Sequence, residues 1–277
     1  MRERGLRLAV TLLTVIPWPG SGDDAAPGDG PGSGTAPSRA AAAAAMAWAP
    51  AVGLLLGVAA AAVLLLADHP LGAGPLTASV LAVASLALLT RGLHLDGLAD
   101  LADGLASGKP ASAALDIMRR PDIGALGAVT LVLTLLLQVA ALSQAESAGH
   151  GRGPAALIAA VVTGRLAITW ACRRGVPAAR PDGLGALVAG SVRPAVAAAA
   201  TAVTLAAAAA AVISATAAGG ALGWTLPLAV VAGLSVAFGV QRHAVRRLGG
   251  ITGDVLGALA EIAMTVTLVV GAMGRPG

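Results

Sequence analysis

Polar and charged residues along this chain are confined to short gaps between apolar blocks of sixteen to twenty-three residues. A block of that length crosses a bilayer core of about 30 Å at about 1.5 Å per residue. Spans are expected at 46–67, 74–92, 124–144, 154–172, 195–217, 224–241 and 255–273. The pattern predicts an all-α fold: a polytopic helical integral membrane protein of about seven transmembrane helices, forming a single membrane-embedded domain over 1–277. Ahead of the first span, Leu6 to Trp18 is apolar and carries Arg2, Arg4 and Arg7 at its start. It imitates a secretory signal peptide, but Trp18-Pro19-Gly20 offers no small-x-small cleavage site. An uncleaved interfacial or re-entrant helix is the preferred expectation. Residues 19–40, rich in Gly, Pro, Ser and Asp, read as a flexible connector.

Composition narrows the function classes. The chain is 57% hydrophobic and 12% charged, against about 25% charged for soluble domains, which excludes disorder and argues against a water-soluble enzyme. Four Trp, one Phe and no Tyr supply no stacking platform for bases, so the basic pI near 10.9 does not indicate a nucleic-acid partner. The single Cys172 cannot close an intrachain disulfide.

Charge placement orients the spans. With a cytoplasmic N-terminus, fifteen of the eighteen Lys and Arg residues fall on that side, leaving Arg152 and Arg275 outside and Arg165 within a span. This is the positive-inside asymmetry of a multi-pass protein of the cell (inner or plasma) membrane. The stretches 93–123, 173–194 and 241–254 then share the cytoplasmic face and can form one site.

Five of the fourteen acidic residues lie between 96 and 122. In His94-Leu-Asp96-Gly-Leu-Ala-Asp100-Leu-Ala-Asp103-Gly104, the three aspartates fall within about 60° of one another at 100° per residue on a helix. Two carboxylates about 6 Å apart repel by about 3 kcal/mol at an effective dielectric of 20, and no Lys or Arg stands between 92 and 108 to offset them. A hard dication resolves the conflict, and all-oxygen ligation selects Mg²⁺, Mn²⁺ or Ca²⁺ over zinc. The competing reading is a solvated acidic face; Leu95, Leu98, Ala99, Leu101 and Ala102 argue instead for a partly buried helix. His94 is a candidate ligand, phosphate donor or general base, or an interfacial histidine with no chemical part.

Further along, Arg119 and Arg120 precede Gly124 and Gly127 at the start of a span, where free helix N–H groups and guanidinium forks suit a phosphate. A basic membrane flank is the bland alternative. Arg165, eleven residues into a span, requires a partner: a carboxylate or a bound diphosphate. Arg180, before Asp182-Gly183-Leu184-Gly185, adds a cation to a loop suited to closing over an anion. In Gly249-Gly250-Ile251-Thr252-Gly253-Asp254 the glycines permit close backbone approach and Asp254 can cap the last span. Glu261, seven residues on and on the same face, is a functional candidate because a carboxylate inside a span is costly.

The aspartate motif, the Arg119 to Gly127 stretch and the Gly249-Gly-Ile-Thr-Gly-Asp254-Val-Leu-Gly-Ala segment together resemble the cobalamin synthase family, the adenosylcobinamide-GDP ribazoletransferases. Leu6 to Pro17, Ala45 to Gly57, Arg165 and the Ala178 to Gly185 turn fit the same likeness, which covers the chain apart from the connector. The sequence departs from the family pattern where Arg120 and Asp122 invert a charge pair and where Met264 replaces a frequent glutamate. The resemblance implies a single catalytic domain that joins adenosylcobinamide-GDP to alpha-ribazole, or its 5'-phosphate, with release of GMP and dependence on Mg²⁺.

On that reading Asp96, Asp100, Asp103 and Asp254 are the metal ligands, with Glu261 as a further carboxylate for a second ion. Arg119, Gly124, Gly127, Arg165, Arg180, Gly250, Thr252 and Gly253 bind the substrates, and a carboxylate or His94 takes the acceptor's proton. Two other classes compete. A CDP-alcohol phosphotransferase also clusters aspartates on membrane helices, but Asp100 stands where its signature carries Arg; a transporter would use Arg165 and Glu261 along a path. Homo-oligomerisation is left open.

Overall fold

The computed structural model describes residues 2–15, 38–149, 151–217 and 225–273. Most of the 19–40 connector lies outside these residues. Eleven helices are described: α1 (Arg2–Leu13), α2 (Arg39–Asp68), α3 (Gly74–Leu89), α4 (Leu93–Ala106), α5 (Ala111–Ile117), α6 (Ala125–Ser147), α7 (Arg152–Ala171), α8 (Gly183–Val188), α9 (Pro194–Ala217), α10 (Thr225–Leu248) and α11 (Gly253–Ala272). The protein is a multi-pass helical membrane protein: α2, α6, α7, α9, α10 and α11 are each long and apolar enough to cross a bilayer.

The expected second span, 74–92, departs from the pattern. α3 has sixteen residues, about 24 Å at 1.5 Å per residue, and stops at Leu89. Arg91 and Gly92 follow, both left-handed at φ 55° and 66°, and the chain turns 87° into α4. For a non-glycine residue such as Arg91 this conformation costs about 1–2 kcal/mol. The seventh crossing therefore exists only as a bent pair, and α4 lies across the end of α3, outside the six spans.

Two other boundaries shift for local reasons. α2 starts seven residues early because Ser38 caps it, its hydroxyl accepting from the Ala41 amide at 3.2 Å. α10 continues past 241 because Gln241, Ala244 and Leu248 keep a buried stripe while Arg242 and Arg246 face outward. α1 is amphipathic, burying Ala9, Val10 and Leu13 against the bundle, and the Val15 amide donates to Leu89 O at 2.8 Å. The N-terminal segment is thus a helix packed on the bundle.

α7 and α11 form the centre, with 78% and 72% of their apolar windows buried. Small residues permit this, as in other membrane bundles: a Cβ at Gly164 of α7 would stand 2.6 Å from Ala260 O of α11. The decisive crossing is α4 over α11. A Cβ at Gly97 would lie 2.7 Å from Asp254 O and 2.9 Å from Asp254 Cα, and one at Gly257 would lie 3.1 Å from His94 Cα. Only glycine at both positions lets the two backbones touch.

Gly97→Ala should therefore force the helices apart and lower stability by about 1–3 kcal/mol, read as an earlier unfolding midpoint in detergent. Gly271→Ala, where the new Cβ finds ordinary contacts at 3.6 and 3.9 Å, should leave the midpoint unchanged.

Candidate active site

α4, α8, α11 and the loop between α7 and α8 meet around a cavity of about 500 Å³. Its polar wall carries Asp96, Arg119, Arg180, Asp182, Thr252 and Asp254, with His94, Gly183, Gly185, Gly253 and Gly257 between them; Leu12, Leu13, Met46 and Ile168 line an apolar side. Thr252 organises the α11 end. Its hydroxyl oxygen accepts from the Val255 amide at 3.2 Å, and the hydroxyl donates to Asp254 Oδ2 at 3.1 Å, so one residue caps the helix and orients the carboxylate.

The neighbouring loop is fastened by backbone pairing. The Ala179 amide donates to Ile251 O at 3.0 Å and the Ile251 amide to Pro177 O at 2.9 Å. Gly250 packs directly on the backbone of Ala178 and Ala179. Gly250 thus holds two loops together behind the cavity and does not line it, contrary to its expected substrate contact. Thr252 and Gly253 do line it.

Carboxylates and guanidinium groups converge here. Asp96 is exposed, whereas Asp100 and Asp254 are half-buried. Burial, then the charges of Asp96, Asp254 and Asp103, push the Asp100 carboxyl up to about 7 against the opposing pull of Arg180. Asp254 lies within electrostatic reach of Arg180, Asp96 and Arg119. Arg119 donates to both oxygens of Asp182 at 2.8 and 3.0 Å, an exposed pair, and Arg180 Nη2 donates to Leu115 O. Asp182, which sequence reasoning did not single out, therefore belongs to the cavity; its place two residues after Arg180 was the available signal. Leu12, Leu13 and Met46 had no such signal.

Asp103 is turned elsewhere. It accepts from the Gly124 amide at 2.7 Å and from the Gly127 amide at 2.8 Å, capping α6 from α4. Free N–H groups at a helix N-terminus attract an anion, and here a carboxylate of the chain fills the place expected for phosphate. Neither Gly124 nor Gly127 faces the cavity. Among the described residues, three donor atoms of His, Cys, Asp or Glu come within 4.8 Å of one another at Asp68, His69 and Glu146, at the other ends of α2 and α6. The three aspartates of α4 share a face but their oxygens do not meet at one point.

The family model of cobalamin-5-phosphate synthase (CobS) matches residues 5–272. This chain belongs to the cobalamin-5-phosphate synthase family. It is 46% identical over 230 residues to an adenosylcobinamide-GDP ribazoletransferase of Frankia casuarinae, covering 82% of each chain. The identity is 38% over 273 residues with that of Bradyrhizobium diazoefficiens, covering 98% of this chain and 95% of the relative, and 32% over 276 residues with that of Desulforamulus reducens, covering 98% and 96%. No solved structure matches the chain. Membership of the cobalamin-5-phosphate synthase family sets aside the CDP-alcohol phosphotransferase and transporter readings.

Within this member of the family, Arg165 and Glu261 stand apart from the cavity that holds Asp254. Arg165 is 1% and Glu261 6% exposed, and both border a small void between α3, α4, α6, α7 and α11. Glu261 accepts from Gln138 Nε2 at 2.9 Å. Arg165 Nε and Nη1 have no hydrogen-bond partner among the described residues. Arg165 and Glu261 thus border one buried void without a direct ion pair between them among the described residues, and neither lines the cavity that holds Asp254. Seven residues of helix put Asp254 and Glu261 on one face but about 10 Å apart along the axis.

His94 lies between the two regions. It is 2% exposed, borders the cavity, and neither ring nitrogen has a partner among the described residues. Burial, and secondarily the Arg165 charge, hold its imidazole well below the ordinary histidine range.

Leaving a buried donor without its acceptor costs about 1–3 kcal/mol, while replacing both partners by apolar groups is often nearly neutral. Glu261→Leu, which takes the acceptor from Gln138 Nε2, should lower the unfolding free energy in detergent by about 1–3 kcal/mol, and the Gln138→Leu, Glu261→Leu double variant should recover most of it.

Proposed function

We propose that the protein catalyses the transfer named for its relatives: the phosphoryl-corrinoid of adenosylcobinamide-GDP passes to alpha-ribazole, or its 5'-phosphate, giving adenosylcobalamin (or its 5'-phosphate) and GMP. The observation that carries this reading is the single cavity in which Asp96, Asp254, Arg119 and Arg180 face one another in a chain of this family. A cavity of this size admits a diphosphate and a ribazole and leaves the larger corrin ring at its mouth. The excess of Lys and Arg on the cavity side supports an opening to the cytoplasm from the cell membrane.

Asp96, Asp100 and Asp254 offer oxygen donors to a hard dication; no three of their oxygens lie within 4.8 Å of one another, so the ion would take one or two of these carboxylates together with water and substrate phosphate, as magnesium commonly does. Bound there, Mg²⁺ would offset charge on the diphosphate and the departing GMP. Asp103 serves this arrangement by fixing α6 against α4 and is not assigned as a ligand.

The chain's own groups supply the rest. Arg119 and Arg180 stand across the cavity from Asp96 and Asp254, placed to bind the diphosphate and to stabilise charge that accumulates on the bridging oxygen as GMP leaves. The ribazole 3'-hydroxyl attacks the phosphorus bearing the corrinoid; one P–O bond forms to the ribose and the P–O bond to GMP breaks. The hydroxyl proton passes to His94 or to a cavity carboxylate. The apolar side formed by Leu12, Leu13, Met46 and Ile168 suits the ribazole base and excludes water from the reacting phosphorus.

In reconstituted membranes, Asp100→Asn should lower GMP release by about a hundredfold or more, equivalent to about 2.7 kcal/mol of transition-state stabilisation, with insertion intact. Near-normal turnover, followed by mass spectrometry of the corrinoid product, would remove the central assignment. The pH dependence has a definite sign: with the Asp100 carboxyl pushed up to about 7, metal must displace a proton below that pH. The Mg²⁺ concentration for half-maximal GMP release should rise by about tenfold per unit as pH falls below 7 and level off above about 8; a flat profile from pH 6 to 8 would contradict it.

A further inference from the structure

A second cavity, of about 450 Å³, opens between α7, α9 and α10 within the apolar belt and takes no part in the reaction described above. Its walls are apolar apart from Thr201, Ser235 and Gln241. α9, which forms one side, buries only 17% of its apolar window, the least of the six spans. The groove ends in a cluster of cations. Phe238, at its mouth, is flanked by Arg173 with its guanidinium carbon 5.0 Å from the ring centre and by Arg242 at 5.6 Å.

Arg173 Nη1 donates to Gln241 Oε1 at 2.8 Å and to Trp170 O at 2.9 Å, which fixes the guanidinium at the groove. Among the described residues no carboxylate forms an ion pair with Arg173 or Arg242, and the sequence has no Asp or Glu between Asp182 and Asp254 and none within α7. Burial, and then the neighbouring charge of Arg242, hold Arg173 below the ordinary guanidinium range. Two guanidiniums on one aromatic ring, without a counter-anion and at the end of an apolar groove, match one amphipathic occupant.

We propose that this groove is a binding site for an anionic phospholipid, an acyl chain lying along α9 and α10 and the phosphate headgroup held by Arg173 and Arg242. Arginines near a membrane surface attract anionic lipid, and the apolar groove selects a lipid over free phosphate.

Trp170 lines the groove and reports on it. The full chain carrying Trp18→Phe, Trp48→Phe and Trp224→Phe, reconstituted in phosphatidylcholine, is titrated with acyl-brominated phosphatidylglycerol or phosphatidylcholine while Trp170 fluorescence is read. Brominated phosphatidylglycerol should quench at about tenfold lower mole fraction than its zwitterionic counterpart. Arg242→Gln should reduce the preference to about threefold or less, and Arg242→Lys should retain most of it, which separates loss of charge from misfolding. Equal quenching by the two lipids would overturn the proposal. So would absence of quenching by either, as expected if a second copy of the chain covers the groove, or full competition by millimolar inorganic phosphate, as expected of a site for the free anion.

Discussion

The close crossing of α4 over α11 is the contact on which the site depends. With hydrogen at Gly97 and Gly257, the backbone of one helix rests on that of the other, and Asp96, Asp100 and Asp254 are drawn to one end of the bundle although about 150 residues separate them in the chain. A methyl group at either position would separate the carboxylates as well as the helices. The same crossing buries His94 beside the cavity. Packing between small residues and placement of charge are therefore one constraint in this protein.

Charge is handled in two ways on either side of that crossing. Toward the cavity, Asp96, Asp254, Arg119 and Arg180 line open space, and beside it burial, then the charges of Asp96, Asp254 and Asp103, raise the Asp100 carboxyl, which suits a site that binds a cation with an anionic substrate. Toward the interior, Gln138 Nε2 donates at 2.9 Å to both Glu261 Oε2 and Thr265 Oγ1, a polar network beside the buried Arg165. The first arrangement is suited to chemistry; the second holds α6 and α11 together.

Much of this was legible from residue order. The apolar blocks located all six long spans, and the 3.6-residue repeat placed the aspartates of α4 on one face. What was not legible was where that face points. The spacing of Asp96, Asp100 and Asp103 suggested a single metal grip, yet Asp103 reaches the Gly124 and Gly127 amides, because free N–H groups compete for a carboxylate and their proximity is not encoded within α4. Likewise, Asp254 and Glu261 share a face by spacing but open into different voids, since a helix rises as it turns.

The sequence by itself determined the helical membrane architecture, the family, the basic end of the bundle and the set of carboxylates available for chemistry, because hydropathy, periodicity and local motifs are properties of contiguous residues. The tertiary structure alone decided that α3 and α4 meet at 87°, that Asp103 caps α6, that Arg165 and Glu261 border one buried void, and that Asp182 and the leucines of α1 join the cavity. Each of these depends on which helix lies beside which, and in a membrane that choice is made by shape complementarity between small residues far apart in the chain, where hydropathy differs little from one span to the next.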